Sequence, residues 1–446
     1  MLLVGVFAFL LYAATWHNGY VLNDASRLFQ GSQLVRFTFF IEHYFWGDAP
    51  SVSHWINGLL FGYTVTLIWA LMFHLSGSKF FVFPTLTALL FAVHPLHTEA
   101  VCYVSHRGIL LAFLFILLAA MKGVAYFHTR YLRYAVMSVL ALLVAGLSVF
   151  WLPNVLYNDV LFPLSHLALL DRIPPVIYIL GKSLYLMVIP HPLLFNYGWQ
   201  QLPLYTWQEG SLKICLSVVV YSGLFSLAFL LWRRCRWLCM GLFLFLIPTL
   251  LLGLYSFITG FGLSESLLYF SSFGASWTVA WLIMALWTKC QTLDKPLWRY
   301  GLGLCLMWSV IAIFLTYMFC SVSRTYDWKN EQRLLESSGP FMVRNAVYHY
   351  RLGNYLVGLD SLDYAGREFL EATRLYPAYT DAYYQLGLLY ERRNHLESAR
   401  WAFKKSLYYG SPRRHEILLK LIAIQDALGD VKDRERYRLL YKNDSK

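Results

Sequence analysis

Charge is what this sequence has least of. Asp, Glu, Lys and Arg make up 14% of its 446 residues, against about a quarter in soluble globular proteins. The shortage is local. Residues 1–323 hold 9 acidic and 16 basic residues, whereas 324–446 hold 16 and 21. The first region lacks the charge to be a soluble domain, and the second does not. The sequence predicts a membrane region over 1–323 and a polar domain over 324–446.

Cysteine is sparse as well. Cys102, Cys215, Cys235, Cys239, Cys290, Cys305 and Cys320 all lie in the first region, with no Cys-x-x-Cys among them. That spacing argues against a cysteine zinc site and a disulfide framework, and favours small buried hydrophobes. No phosphate-binding glycine loop occurs. The "GLGL" at 301–304 lies inside an apolar run, where close helix packing uses small residues. The net charge of +12 raises nucleic acid as a partner, but the polar region has no basic run with interleaved aromatics. The basic residues of the first region fall between apolar runs, where membrane orientation accounts for them.

What is present is long apolar segments. A helix needs about 20 apolar residues to cross the hydrocarbon core. Eleven candidate spans follow: 2–16, 56–76, 80–95, 108–127, 134–151, 154–170, 174–190, 211–232, 237–258, 267–288 and 301–321. Asp159, Pro163, Pro174 and Pro175 interrupt the sixth and seventh. The first has no basic flank or small-residue cleavage pattern and is expected to stay as an anchor. With the N-terminus cytosolic, Lys79, Arg130, Arg133, Arg233, Arg234, Arg236, Lys289, Lys295 and Arg299 all fall on the cytosolic side. Arg27, Arg36, Arg107 and Lys213 fall opposite. The positive-inside rule favours this orientation, which puts 324–446 on the non-cytosolic face. Asp24, Glu42, Asp48, Glu99, Glu209 and Glu265 share that face. Charge at membrane depth needs a partner or a wet cavity, so this clustering predicts an outer cavity.

The stretch "LLFAVHPLHTEAVCYVSHRGILLAFLF" at 89–115 concentrates the polar chemistry. Proline disfavours helix in the residue before it. The His94-Pro95 step therefore ends one span, and Arg107-Gly108 begins the next. The residues between are expected to form a short element that turns His94, His97 and Glu99 into the cavity. His94 and His97 are three apart, but Pro95 lies between them and no zinc motif follows, so no metal is expected.

The C-terminal region repeats at 34 residues: Leu352 with Leu386, Gly353 with Gly387, Ala365 with Ala399, Phe369 with Phe403, and Ala372 with Ser406. This is the tetratricopeptide pattern, with repeats at about 346–377 and 380–411 and a degenerate polar cap at 413–441. Such solenoids bind peptides or partner proteins. Tyr383, Tyr384 and Tyr390 are the candidate partner-binding residues.

"FAVHPLHTEAVCYVSHRGILLAFLF" resembles the signature of the transmembrane and tetratricopeptide-repeat protein O-mannosyltransferases, members of the GT-C class of lipid-linked-sugar glycosyltransferases. "NGYVLNDASRL", "HWINGLLFGYTVTLIWALMF", "YILGKSLYLMVIPHPLLFNYGWQQLPL", "LSESLLYFSSFG" and "SRTYDWKNEQRLL" resemble further family segments in the same order. The resemblance implies an all-α fold: a polytopic GT-C-like bundle followed by an α-solenoid. It implies a polyprenyl- or dolichyl-phosphate sugar as donor and a Ser or Thr of a secreted protein as acceptor. Asp24 would be the general base, and Arg107 and Lys182 the phosphate partners. His94, His97, Glu99 and Glu265 would line the substrate pocket. The membrane would be the endoplasmic reticulum in a eukaryote or the cytoplasmic membrane in a bacterium.

The departures are specific. Asn23-Asp24 stands where the family carries two acids, and Ile109 where it carries another. Val149-Phe150 replaces Lys-Glu, and Glu265-Ser266 replaces Glu-Arg. One lost charged donor can cost two to three powers of ten in rate. The expectation is a catalytically degenerate relative with a partner-binding repeat domain; the alternative is an active protein O-glycosyltransferase with a rearranged pocket. A transporter would show internal span symmetry, and none is evident.

Overall fold

A computed structural model describes residues 1–22, 32–77, 81–149, 164–198 and 200–444. The fold is all-helical, with no β-strand among the described residues. It divides into two compact units. One comprises the described residues of 1–149, 164–195 and 204–337; the other comprises those of 196–203 and 338–444.

The first unit contains α1 (Leu2–Leu11), α2 (Gln33–Trp46), α3 (Pro50–Leu75), α4 (Val82–Ala92), α5 (His97–Cys102), α6 (Arg107–Thr129) and α7 (Leu132–Val149). It continues with α8 (Ile173–Val188), α9 (Ser211–Leu230), α10 (Arg236–Thr259), α11 (Tyr269–Gln291), α12 (Pro296–Asp327) and α13 (Glu331–Ser338). Among the described residues, six helical stretches are long and apolar enough to cross a membrane: Pro50–Leu75, Val104–Thr129, Ser211–Leu230, Arg236–Thr259, Glu265–Gln291 and Pro296–Asp327. In lipid every backbone polar group must be satisfied within the segment, and helices do this. The chain is a membrane protein.

The other expected spans take shorter forms. Over 2–16 the helix stops at Leu11 and a 3-10 turn, Ala13–His17, follows. The helix within 80–95 has 11 residues, and α7 and α8 have 18 and 16. The expected span 154–170 lies mostly outside the described residues. Its described part, 164–170, is turn leading into a 3-10 segment rather than α-helix. Pro174 and Pro175 then sit in the first turn of α8, where proline's missing donor costs nothing.

Small residues let spans approach. A Cβ added at Gly274 would lie 2.7 Å from the Gly241 carbonyl, so α10 and α11 cross with backbones in contact. Helix α5 is short because the chain turns at His94–Leu96 and again at Tyr103, yet all six of its residues are buried. It packs against α3, α12 and the 3-10 turn Glu265–Leu268, and this packing builds the polar layer described below.

The second unit contains α14 (Ala346–Gly358), α15 (Leu362–Leu375), α16 (Thr380–Arg392), α17 (Leu396–Tyr408), α18 (Arg414–Leu428) and α19 (Val431–Asp444). Each helix packs on the next. The Phe369 ring lies 2.6 Å from where a Cβ on Gly353 would be, and the Phe403 ring 2.5 Å from one on Gly387. Glycine is required at both, because each ring fills the space a side chain would take. The turns between α14 and α15 and between α16 and α17 match too: Asp360 and Asn394 have φ of 56° and 59°, a conformation short polar side chains tolerate. The 196–203 segment is tied in by Gln200 Nε2, which donates to the Leu375 carbonyl at 3.1 Å, and by Asn345 Nδ2, which donates to Asn196 Oδ1 at 3.2 Å.

Candidate functional site

The expected site residues separate into two groups, one built around Glu99 and one around Arg107. Glu99 is buried in α5. Its Oε2 accepts the Ser266 backbone N–H at 2.8 Å, and both oxygens accept from the Ser264 hydroxyl at 3.3 Å. Ser264 and Ser266 hydroxyls are 2.7 Å apart, and His106 Nδ1 lies 3.7 Å from Glu99 Oε1. Burial, and secondly the nearby Glu265 carboxyl, push the Glu99 pKa up to about 8 against these donors. Glu265 is fully buried and accepts the Leu194 backbone N–H at 2.6 Å. Lys182 on α8 is half-buried, within electrostatic reach of Glu265, with its ammonium 4.5 Å from the Tyr185 ring centroid. Glu99, Glu265 and Lys182 therefore share one neighbourhood, from α5, the approach to α11, and α8.

The two histidines are held rather than presented. His94 Nε2 donates to the Met187 carbonyl at 2.9 Å, and its Nδ1 accepts the Leu96 N–H at 3.3 Å, which sets the tautomer. His97 is fully buried. Its Nε2 meets Ser272 Oγ at 2.8 Å, and that hydroxyl already donates to the Tyr269 carbonyl, so the histidine is the donor. Its ring packs 4.3 Å from Phe91 and 4.9 Å from Tyr269, centroid to centroid.

Arg107 belongs to a different construction. It is completely buried at the start of α6. Its Nε donates to Asn57 Oδ1 at 2.7 Å. Nη1 donates to Glu42 and to Thr38 Oγ1; Nη2 donates to Glu42 Oε2 and the Ser53 carbonyl. These bonds engage all five guanidinium N–H groups. The guanidinium also lies 4.2 Å from the Phe39 ring centroid. Arg107 thus ties α2, α3 and α6 together and has no donor left for a phosphate.

Asp24, the expected base, lies outside the described residues, as do Asn23, Phe150 and the side chain of Val149. Ile109 is buried. In the second unit, Tyr383 and Tyr384 are buried and Tyr390 half-buried. The Tyr384 hydroxyl donates to Glu416, and the Tyr383 ring lies 5.7 Å from Trp401. They serve the packing between helices α16, α17 and α18. Among the described residues, no group of three or more His, Cys, Asp or Glu can hold a metal ion.

Sequence reasoning missed Asn57 and Ser264 and gave Glu42 no partner. Glu42 and Glu265 were visible as outer-face acids, but partners 65 residues away in the chain carry no local signal.

Fold and site define a class: a multi-span helical membrane protein with a buried carboxylate layer among its spans and a separate unit of paired helices. Two curated relatives sharpen this. The chain is 24% identical over 225 residues to protein O-mannosyl-transferase TMTC1 of Mus musculus, covering 50% of this chain and 23% of that protein. It is 23% identical over 399 residues to protein O-mannosyl-transferase F38B6.6 of Caenorhabditis elegans, covering 78% of this chain and 54% of that protein. The chain therefore spans about a quarter to a half of these relatives' lengths. No family model and no solved structure matches. The resemblance to protein O-mannosyl-transferases stands, at the identity of a divergent relative.

Proposed function

We propose that the chain is a GT-C-like membrane protein whose outer cavity still receives a lipid-linked sugar phosphate but no longer transfers the sugar efficiently. Its C-terminal helices act as tetratricopeptide repeats that bind a protein partner. One observation carries this reading: Glu99 is held by the Ser264 hydroxyl and the Ser266 backbone N–H, and Ser266 stands where the family resemblance places an arginine. Neutral donors keep a carboxylate in place but supply little of the charge stabilisation that transfer demands. The finer architecture goes with it: eleven crossings, a cytosolic N-terminus, and the C-terminal unit on the non-cytosolic side of an endoplasmic-reticulum or bacterial cytoplasmic membrane.

A specific feature supports the alternative of an active transferase. A carboxyl whose pKa is about 8 exchanges protons near neutral pH, which suits general acid–base work. The deciding experiment incubates purified full-length protein with dolichyl-phosphate mannose and a Ser/Thr-rich secretory acceptor. The proposal expects acceptor labelling no higher than in Asp24→Ala. Turnover lost in both Asp24→Ala and Glu99→Gln would replace it with the transferase reading.

A further inference from the structure

The last span carries a basic side chain, Arg324, within electrostatic reach of Glu99. Arg324 lies in the final turn of α12 and is only 7% exposed. Its Nη1 donates to Asp327 Oδ2 at 3.0 Å. Its Nε and Nη2 have no acceptor among the described residues. These two N–H groups make up one edge of the guanidinium, the edge that grips both oxygens of an oxyanion in a bidentate pair. Beside it, Trp328 is fully buried, with its ring centroid 5.9 Å from the guanidinium carbon. The indole Nε1 likewise has no acceptor among the described residues. Leaving buried donors unpaired is costly.

The surroundings hold the donors in place. The Asn18 amide donates to the Thr325 and Trp328 carbonyls at 3.3 and 3.1 Å, closing the end of α12. One turn earlier, Ser321 Oγ donates to the Val93 carbonyl at 2.7 Å. Helix α12 packs against α5, which carries Glu99. With 32 residues, α12 is about 48 Å long, enough to cross the hydrocarbon and reach through the headgroup layer. Arg324 is three residues from its end.

We propose that Arg324 and Trp328 form an oxyanion site that binds a phosphate group at the end of the last span. A pair of parallel guanidinium donors suits a phosphate, and a place three residues from the end of a membrane-length helix suits a lipid-borne one. The oxyanion chemistry stands on the donors alone; its lipid source rests on the proposed function. With Arg107 committed to Glu42 and Asn57, Arg324 offers an open edge among the described residues.

The test uses full-length protein in phosphatidylcholine nanodiscs, with dolichyl phosphate in the disc as one probe and inorganic phosphate in solution as the other. Binding is read by tryptophan fluorescence and by the shift in melting temperature. Dolichyl phosphate should raise the melting temperature of the wild type. Arg324→Gln should weaken binding at least tenfold, while its ligand-free melting temperature equals or exceeds that of the wild type. Arg324→Lys, which keeps the charge and loses the fork, should weaken it severalfold, and Trp328→Phe less. If only inorganic phosphate binds and Arg324→Gln removes it, the oxyanion site stands and the lipid reading falls. If Lys182→Ala abolishes dolichyl phosphate binding and Arg324→Gln does not, the lipid reading stands and this inference falls. Failure of both probes to bind the wild type overturns both.

Discussion

The two units use charged side chains in opposite ways. In the membrane unit the Arg107–Glu42 pair is 0% and 7% exposed and joins three helices. In the C-terminal unit the pairs lie at the surface, as in Lys420–Glu391, where both side chains are about a third exposed. The apolar interior holds few charges, and burial makes an unpaired one costly, so a pair such as Arg107–Glu42 decides how helices meet. The watery surface of the second unit tolerates many pairs, because breaking one there leaves both ions hydrated. Cohesion in the second unit comes from ring-on-glycine packing.

That contrast can be broken or sharpened by experiment. The largest effect should follow Arg107→Ala, which strands Glu42 in the interior and should cost about 3–5 kcal/mol. Chemical unfolding of detergent-solubilised protein measures it, and a loss below about 1 kcal/mol would remove the contrast. Next comes Phe403→Ala, which empties the space against Gly387 and should cost about 3 kcal/mol. The thermal transition of the C-terminal unit should fall, and Phe369→Ala should match it in kind.

The pH responses should be smaller. The pKa of Glu99 is raised above its unfolded value, so the folded state binds the extra proton between about pH 4.5 and 8. Stability from this group is full below that window and falls as pH rises through it. Glu99→Gln should flatten the decline in melting temperature across the window; an unchanged slope would show that Glu99 is already ionised in the fold. In the C-terminal unit, burial disfavours a charged His349, but hydrogen bonds to Glu368 at 2.6 Å and to the Val343 carbonyl override it and raise its pKa. Its contribution is full below about pH 6.5 and is lost as pH rises through the raised value. His349→Gln should abolish that loss. Smallest of all, Lys420→Ala should change stability by less than about 0.5 kcal/mol.

Several features were legible in the residues. The apolar runs marked helices at membrane scale, because a 3.6-residue repeat and a fixed bilayer thickness act locally on sequence. The 34-residue spacing of Gly353 with Gly387 and of Phe369 with Phe403 returns as two equivalent ring-on-glycine contacts, each between neighbouring helices. His94-Pro95 marked a real break for the same local reason. Span lengths were less legible. Over 2–16 and 80–95 hydropathy continues past the residues where the backbone turns, and hydropathy alone carries no signal for that turn.

The candidate site divided along the same line. Glu99, Glu265 and Lys182 lie together, since each is an ionisable group in an apolar setting that needs company. Arg107 looked equally suited to a phosphate, and only its neighbours show otherwise. Tyr383 and Tyr384 looked like binding aromatics and are packed inside.

The sequence alone determined the division of labour: a charge-poor region committed to lipid, a charge-rich region built on a 34-residue period, and a short polar stretch between two apolar runs. Those follow from composition and spacing, which act along the chain. Tertiary structure decided which charges are finished and which are open. Arg107 is saturated by Glu42, Asn57, Thr38 and Ser53, whereas Arg324 Nε and Nη2 meet no acceptor among the described residues. Hydrogen bonds reach only about 3 Å, so that distinction depends on residues distant in the chain being brought together by the fold.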